Sequence, residues 1–282
     1  MKETIDLGRY PIHRRQTEAH TRLVETSRAQ LSEEGFVSLP NFVNRDVVDR
    51  VTAAIVQLER DGIGFYSRDS HNVFLEEHKV SNQSSSNDLH PRFIEMKSSK
   101  LILNACDLAE SPSIALAHLD KLFSSSLVLD FISEVLETKV YPSVDQYGKY
   151  YANIYNESDG LSWHLDRSQL SISLTLRPSL SGGEFEYAPN SREIVERWGE
   201  MPHDVAAALQ AQRVELRVPK LTIGDLYIFR GANSLHRVSP VTEGKRVNII
   251  FTYNSEPNVK LNGYTLQKFF GVQSTRRGSC AV

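Results

Sequence analysis

The feature that most limits the fold is a change of character at Tyr141. From there the chain runs as short β-rich segments separated by turn residues. They are YYANIY (150–155), QLSISLTL (169–176), GEFEYA (183–188), VELRV (214–218), GDLYIFRG (224–231) and KRVNIIFTY (245–253). Gly182–Gly183 and Glu243–Gly244 are strong turn signals between them. A helical insertion, residues 191–212, interrupts the strands, and the sequence contains neither internal repeats nor heptads. Short strands at this spacing predict an antiparallel double-sheet β domain, placed behind a helical N-terminal half. The expected class is mainly β with α.

The first half follows a helical period. Thr21 to Glu34 predicts one helix, and GFVSLPNFV (35–43) a short strand with a turn at Pro40. Asn44 has the chemistry of an N-cap for a helix that carries Val47, Val48, Val51, Ala54, Ile55 and Leu58 on one face and stops at Asp61–Gly62. Ser111 to Leu136 predicts another helix whose Leu and Phe stripe belongs to the core. Residues 80–91, VSNQSSSNDLHP, are a polar loop, either a lid or a surface excursion. At 282 residues the chain could hold two domains of about 150, yet β proteins often form one unit of about 250. One catalytic unit is expected, with a helical part (1–140), a β core (141–256) and a C-terminal extension (257–282). Lys and Arg number 32 against 35 Asp and Glu, a net charge of −3. That balance argues against nucleic acid as a partner, because no basic excess drives counterion release. Cys106 and Cys280 are too few for a disulfide framework and lie in no metal-type cluster. No apolar run approaches the roughly 18 residues of a membrane span, and the start MKETIDLGRYPIHRRQ lacks a signal core. A cytoplasmic protein is the expectation.

Trp163-His164-Leu165-Asp166 stands out. On a strand, residues two apart share a face, so an imidazole and a carboxylate come side by side. His236 follows in GDLYIFRGANSLHRVSPV, just after a strand. Two imidazoles and one carboxylate with open positions are the facial triad of non-haem Fe(II) oxygenases, unlike a closed four-ligand zinc site. H-x-D alone arises often by chance. Ten residues after His236, Arg246 opens the strand RVNIIFTY; its guanidinium either grips a dicarboxylate bidentately or pairs with Glu243 at a strand end.

NIYNESDGLSWHLD, SGGEFEY and GDLYIFRGANSLHRVSPVTEGKRVNIIFTY together resemble the double-stranded β-helix (jelly roll) of 2-oxoglutarate-dependent Fe(II) dioxygenases over roughly residues 140–256. With GFVSLPNFVNRDVVDRV and LVLDFISEVLETKVYPS included, the chain is most similar to the carrier-independent amino-acid hydroxylases and halogenases. The resemblance implies Fe(II), 2-oxoglutarate as co-substrate and O₂. It makes His164, Asp166 and His236 the metal ligands and Arg246 the partner of the distal 2-oxoglutarate carboxylate. Asn153 and Tyr155 match an N-x-Y pattern that contacts the co-substrate in some relatives; an alternating strand with polar residues facing solvent is the other reading. Halogenating members replace the carboxylate of H-x-D by Gly or Ala, freeing a position for chloride. Asp166 therefore implies hydroxylation or another O₂-driven C–H oxidation rather than halogen transfer, with succinate and CO₂ as co-products.

Substrate-contacting candidates are fewer. Arg167 suits an anionic group or an ion pair with Asp159 or Glu157, and it disfavours a cationic substrate side chain. Trp163 flanks the ligands, and on a regular strand it faces away from them. Asn248 shares a face with Arg246, and Arg92 follows the polar loop, where it is either a site residue or a solvated charge. The expected substrate is a free amino acid or similar small polar metabolite. A protein or carrier-tethered residue under the same chemistry, and a non-catalytic jelly-roll sensor, are the alternatives. The sequence carries no signal for oligomeric state.

Overall fold

In the computed structural model, residues 1–75, 95–168, 170–198 and 200–272 are described. Arg92 and the polar loop 80–91 lie outside them. Helix α1 (Glu18–Glu34) begins three residues before its apolar pattern, because the Thr17 hydroxyl caps it by accepting from His20 N–H. Gly35, at φ 66°, ends it and leads into β1 (Phe36–Leu39). Helix α2 (Arg45–Arg60) buries Val47, Val48, Val51, Ile55 and Leu58 as its spacing predicts. Asn44 holds the N-cap position without capping; its side chain instead donates to the Lys2 and Glu3 carbonyls at 3.2 and 2.8 Å.

A hairpin of β2 (Phe65–His71) and β3 (Met96–Leu103) precedes α3 (Ala105–Ala109). The stretch expected as one helix over 111–136 is a short 3-10 turn (Ile114–Leu116), α4 (Ala117–Ser124) and α5 (Ser126–Leu136). Ser125 breaks it by adopting extended backbone, φ −66° and ψ 119°. The remaining elements are β4 (Tyr141–Pro142), β5 (Tyr150–Tyr155), β6 (Leu161–His164), β7 (Ser171–Arg177), β8 (Ser181–Gly182) and β9 (Phe185–Ala188). Helices α6 (Arg192–Arg197) and α7 (Val205–Ala211) form the insertion. Then come β10 (Leu226–Phe229), β11 (Leu235–Val238), β12 (Val241–Glu243), β13 (Arg246–Phe251), β14 (Tyr253–Asn254) and α8 (Gly263–Phe270). VELRV is not a strand: Val214 N–H closes onto the Leu209 carbonyl behind α7, and Arg217 alone bridges to Tyr187.

The major sheet has the order β1-β10-β7-β13-β5-β3-β2, all antiparallel, so the first half adds three strands to the β core besides its helices. The minor sheet is β6-β11-β9, with β12-β8 as a separate ribbon, and the two layers form a jelly roll. Side-chain alternation divides the major sheet. Ala152, Ile154, Ile172, Leu174, Leu226, Ile228, Val247 and Ile249 form one core with the helices. Their neighbours Asn153, Tyr155, Ser173, Thr175, Arg246 and Asn248 are also buried, on the face turned toward the minor sheet. A strand buried on both faces with polar residues on one of them marks where a site sits.

Candidate metal centre

His164 ends β6 and His236 lies on β11, and the two are Cα partners across that antiparallel ladder. Their ring centroids are 4.0 Å apart. Each Nδ1 donates to the carbonyl two residues earlier, His164 to Ser162 at 2.8 Å and His236 to Ser234 at 2.9 Å. These bonds fix the tautomer and turn both Nε2 lone pairs toward one point. Asp166 completes that point: its Oδ1 is 3.5 Å from both Nε2 atoms. Cis donors on a first-row metal with bonds of about 2.1 Å stand roughly 3 Å apart, so the three can share one face of an ion. Among the described residues this is the group of His, Cys, Asp or Glu able to hold a metal, its ligand atoms all within 4.8 Å of one another.

The electrostatics suit metal binding. Burial, reinforced by the neighbouring His236, lowers the His164 pKa to about 4, so its imidazole is neutral at neutral pH. Burial alone would raise the Asp166 carboxyl, yet the His236 and His164 rings hold it well below the usual carboxylate range. Two further contacts hold Asp166, one at its carboxylate and one at its backbone. The Ser171 hydroxyl donates to Oδ2, and Asp166 N–H donates to the Gly231 carbonyl at 3.0 Å. A Cβ on Gly231 would come within 1.9 Å of Oδ2, so only glycine leaves room for this rotamer. Neither Ser171 nor Gly231 is singled out in the sequence. His71 packs edge-on to His164 at 5.7 Å, with its Nε2 on the Ser98 hydroxyl at 2.7 Å.

Arg246 is 4% exposed and pairs across the sheet with Tyr155, while Asn248 pairs with Asn153. Its Nη1 donates to the Gly183 carbonyl at 3.0 Å, whereas Nε and Nη2 are buried without a hydrogen bond of good geometry, the Tyr227 hydroxyl interacting with the guanidinium only loosely. Arg246 thus forms no pair with Glu243. Asn153 Oδ1, Asn248 Oδ1 and Thr175 Oγ1 are buried and unpartnered. Such atoms each cost free energy unless something fills the space between them. The space exists: a cavity of about 320 Å³ is bounded by the triad, Arg246, Asn153, Tyr155 and Asn248.

Arg167 reaches the same cavity, with Nη1 on the Leu75 carbonyl at 3.1 Å rather than on Asp159 or Glu157. Asp159 accepts from the Tyr66 hydroxyl and from Asn156 N–H instead. Trp163 is not brought to the cavity. It packs in a separate cluster with Val73 and Phe74, and the Arg237 guanidinium lies 4.6 Å from its ring centroid. Arg237 also forks onto Glu186, at 3.0 Å for both bonds, and so has a structural role. The described part of the C-terminal extension packs on the molecule: α8 roofs the cavity with Phe269 and Phe270, and Lys268 reaches Asp69 at 2.8 Å. Lys100, buried on β3, also lines the cavity and carries no signal in the sequence beyond a polar run.

Solved structures with this architecture include a prolyl hydroxylase from Trichoplax adhaerens in complex with a hypoxia-inducible-factor peptide. It is 17% identical, with a TM-score of 0.53 over 83% of this chain and 90% of that one. The epimerase SnoN in complex with Fe3+, alpha-ketoglutarate and nogalamycin RO aligns at 11% identity and a TM-score of 0.55, over 83% and 84%. AviO1 from Streptomyces viridochromogenes Tue57 aligns at 14% and 0.52, over 83% and 95%. At these identities the shared property is the fold, a jelly roll. No sequence among the curated proteins matches the chain. The sequence model of one family does, over residues 109–268 of the 282, a span that includes all three triad residues and Arg246. By that match, the chain belongs to the Halogenase D family.

Proposed function

We propose that this protein is an Fe(II)- and 2-oxoglutarate-dependent oxygenase that hydroxylates an unactivated C–H of a free amino acid or similar small polar metabolite. The observation that carries the reading is the pairing of a three-donor face with N–H groups that lack a good hydrogen bond, on a buried arginine across the same cavity. When bound, Fe(II) with 2-oxoglutarate and O₂ supplies the oxidation, with succinate and CO₂ as co-products. The chain's own work is positional. His164, Asp166 and His236 would hold the metal. Nε and Nη2 of Arg246 bind the distal carboxylate of 2-oxoglutarate, a bidentate task that a lysine would do less well. Asn153, Asn248 and Tyr155 line the co-substrate's path.

Asp166 supports oxygen transfer over halogen transfer, although the family is described as a halogenase family. Its carboxylate occupies the position that halide would need, and the Ser171 and Gly231 contacts keep it there. The test is turnover of 2-oxoglutarate with Fe(II), O₂ and chloride against a pool of free amino acids, read by mass spectrometry. Succinate release coupled to a product that has gained one oxygen supports the reading. A chlorinated product from the wild-type enzyme contradicts the choice of hydroxylation. Succinate release that no pool member stimulates points to a protein or carrier-tethered substrate.

A further inference from the structure

We propose that Lys100 is a substrate-binding residue whose ammonium holds a carboxylate, so that the pocket takes a small molecule of net negative charge. This rests on the reading that the triad holds the metal and Arg246 the co-substrate.

Lys100 is 4% exposed, and among the described residues no carboxylate lies within ion-pair distance of it. Its Nζ stands 5.0 Å from the centroid of the Phe269 ring, under the helix that roofs the cavity. A lone ammonium is among the most costly groups to bury, and a ring face compensates only a fraction of the lost hydration. Burial accordingly lowers its pKa to about 8, while the charge of Asp166 opposes that shift.

The rest of the cavity has the same sign. Among its described lining residues the cations are Lys100, Arg167, Arg246 and Lys260, and Asp166 is the sole acid. Asp166 is committed to the metal, so a cationic substrate side chain would enter with no counter-charge. A carboxylate would meet an ammonium that lacks one. The two buried cations also occupy different surroundings. Arg246 lies beside Gly183 and Tyr155, whereas the charge of Lys100 is felt at His71 and Asp166 and its ammonium faces α8. They can therefore serve two different anions, Arg246 the co-substrate and Lys100 the substrate.

The experiment uses the full chain loaded with Mn(II), which prevents turnover, and measures equilibrium binding by calorimetry. The first titrant is 2-oxoglutarate. With 2-oxoglutarate saturating, the second titrants are acetate, succinate, L-aspartate and L-glutamate, their amides acetamide, succinamide, L-asparagine and L-glutamine, and L-lysine. Wild type, Lys100→Met and Lys100→Gln are compared. The expected result is that a carboxylate binds at least about tenfold tighter than its amide and loses about tenfold or more in either variant. The Kd for 2-oxoglutarate stays within about twofold across all three proteins. Equal binding of acids and amides, no saturable binding by any of the acids, preference for L-lysine, or unchanged affinity in both variants overturns the proposal. A loss of 2-oxoglutarate affinity in the variants also overturns it, because Lys100 would then belong to the co-substrate. Failure of the underlying reading looks different: 2-oxoglutarate does not bind the Mn(II)-loaded wild type at all.

Discussion

His164 and His236 face each other as Cα partners across the β6–β11 ladder, and each is oriented by a bond from Nδ1 to the carbonyl two residues before it. The two imidazoles of the candidate metal site are therefore placed by strand register rather than by a loop. Asp166 joins them from the turn just beyond β6.

Asp166→Gly opens the position that the carboxylate fills. Turnover to the hydroxylated product is expected to fall by about 100-fold or more, close to 3 kcal/mol in barrier. With chloride present the wild type is expected to yield only oxygenated product. Mass spectrometry of both reactions checks this, and chlorine in the wild-type product contradicts it.

Gly231→Ala drives a methyl group to within 1.9 Å of Asp166 Oδ2. The variant is expected to lose metal affinity by about 100-fold while keeping a folded circular-dichroism spectrum, because the carboxylate moves more easily than the backbone of the β10–β11 turn. Ser171→Ala removes only the hydrogen bond to Oδ2 and should cost about 10-fold. Calorimetric titration with Mn(II) ranks the two, and the reverse order contradicts the geometry.

Arg246→Met removes the two buried N–H donors along with the charge. The Kd for 2-oxoglutarate is expected to rise by roughly 30–150-fold, about 2–3 kcal/mol. Arg246→Lys should recover only part of this, since an ammonium lacks the fork. Unchanged affinity in Arg246→Met contradicts the assignment.

Lys100 makes a stability prediction with a definite sign. Its folded pKa, lowered from 10.5 to about 8 by burial, means the folded state releases a proton that the unfolded chain keeps. The cost is fully present below pH 8 and is relieved as pH rises from about 8 to 10.5. Lys100→Met should therefore stabilise the fold at pH 7 by on the order of 1–3 kcal/mol, with an advantage that shrinks toward pH 10.5. Urea midpoints at both pH values check it; a variant less stable at pH 7 contradicts it.

Acid acts through the histidines. Burial holds His71 at about 3 and His164 at about 4, below the ordinary 6.5. The unfolded chain binds protons first, so the metal-free protein loses stability as pH falls below 6.5, by about 1 kcal/mol per pH unit for each group. Replacing His71 by Gln should flatten part of that slope in urea titrations from pH 7 to 4.5; an unchanged slope contradicts it.

Much of the site is legible in the sequence because β geometry is simple. Period two places Arg246 beside Asn248 on β13, and the alternation in YYANIY and RVNIIF separates the core face from the cavity face, whereas Asp166 lies two residues past the end of β6 and is positioned by the backbone bond to Gly231. Lys100 escapes notice because MKSSKLIL is polar at its start and gives no clean period; its neighbours come from β2 and α8, far away in sequence. Partners over such distances are tertiary facts. The same holds for Gly231, whose need for hydrogen is set by a side chain 65 positions earlier. VELRV reads as a strand by composition, yet α7 claims its first N–H, and only Arg217 finds a neighbouring strand. The break at Ser125 has no apolar signature, because Leu and Phe recur at helical spacing on both sides of it.

The most direct measurement is succinate formation from 2-oxoglutarate by the purified protein under O₂, with and without Fe(II), alongside His164→Ala and Arg246→Met. An oxygenase with this site forms succinate only with Fe(II), and both variants lose it. Succinate formation that is independent of Fe(II), or that survives both substitutions, contradicts an iron and 2-oxoglutarate centre at His164, Asp166, His236 and Arg246.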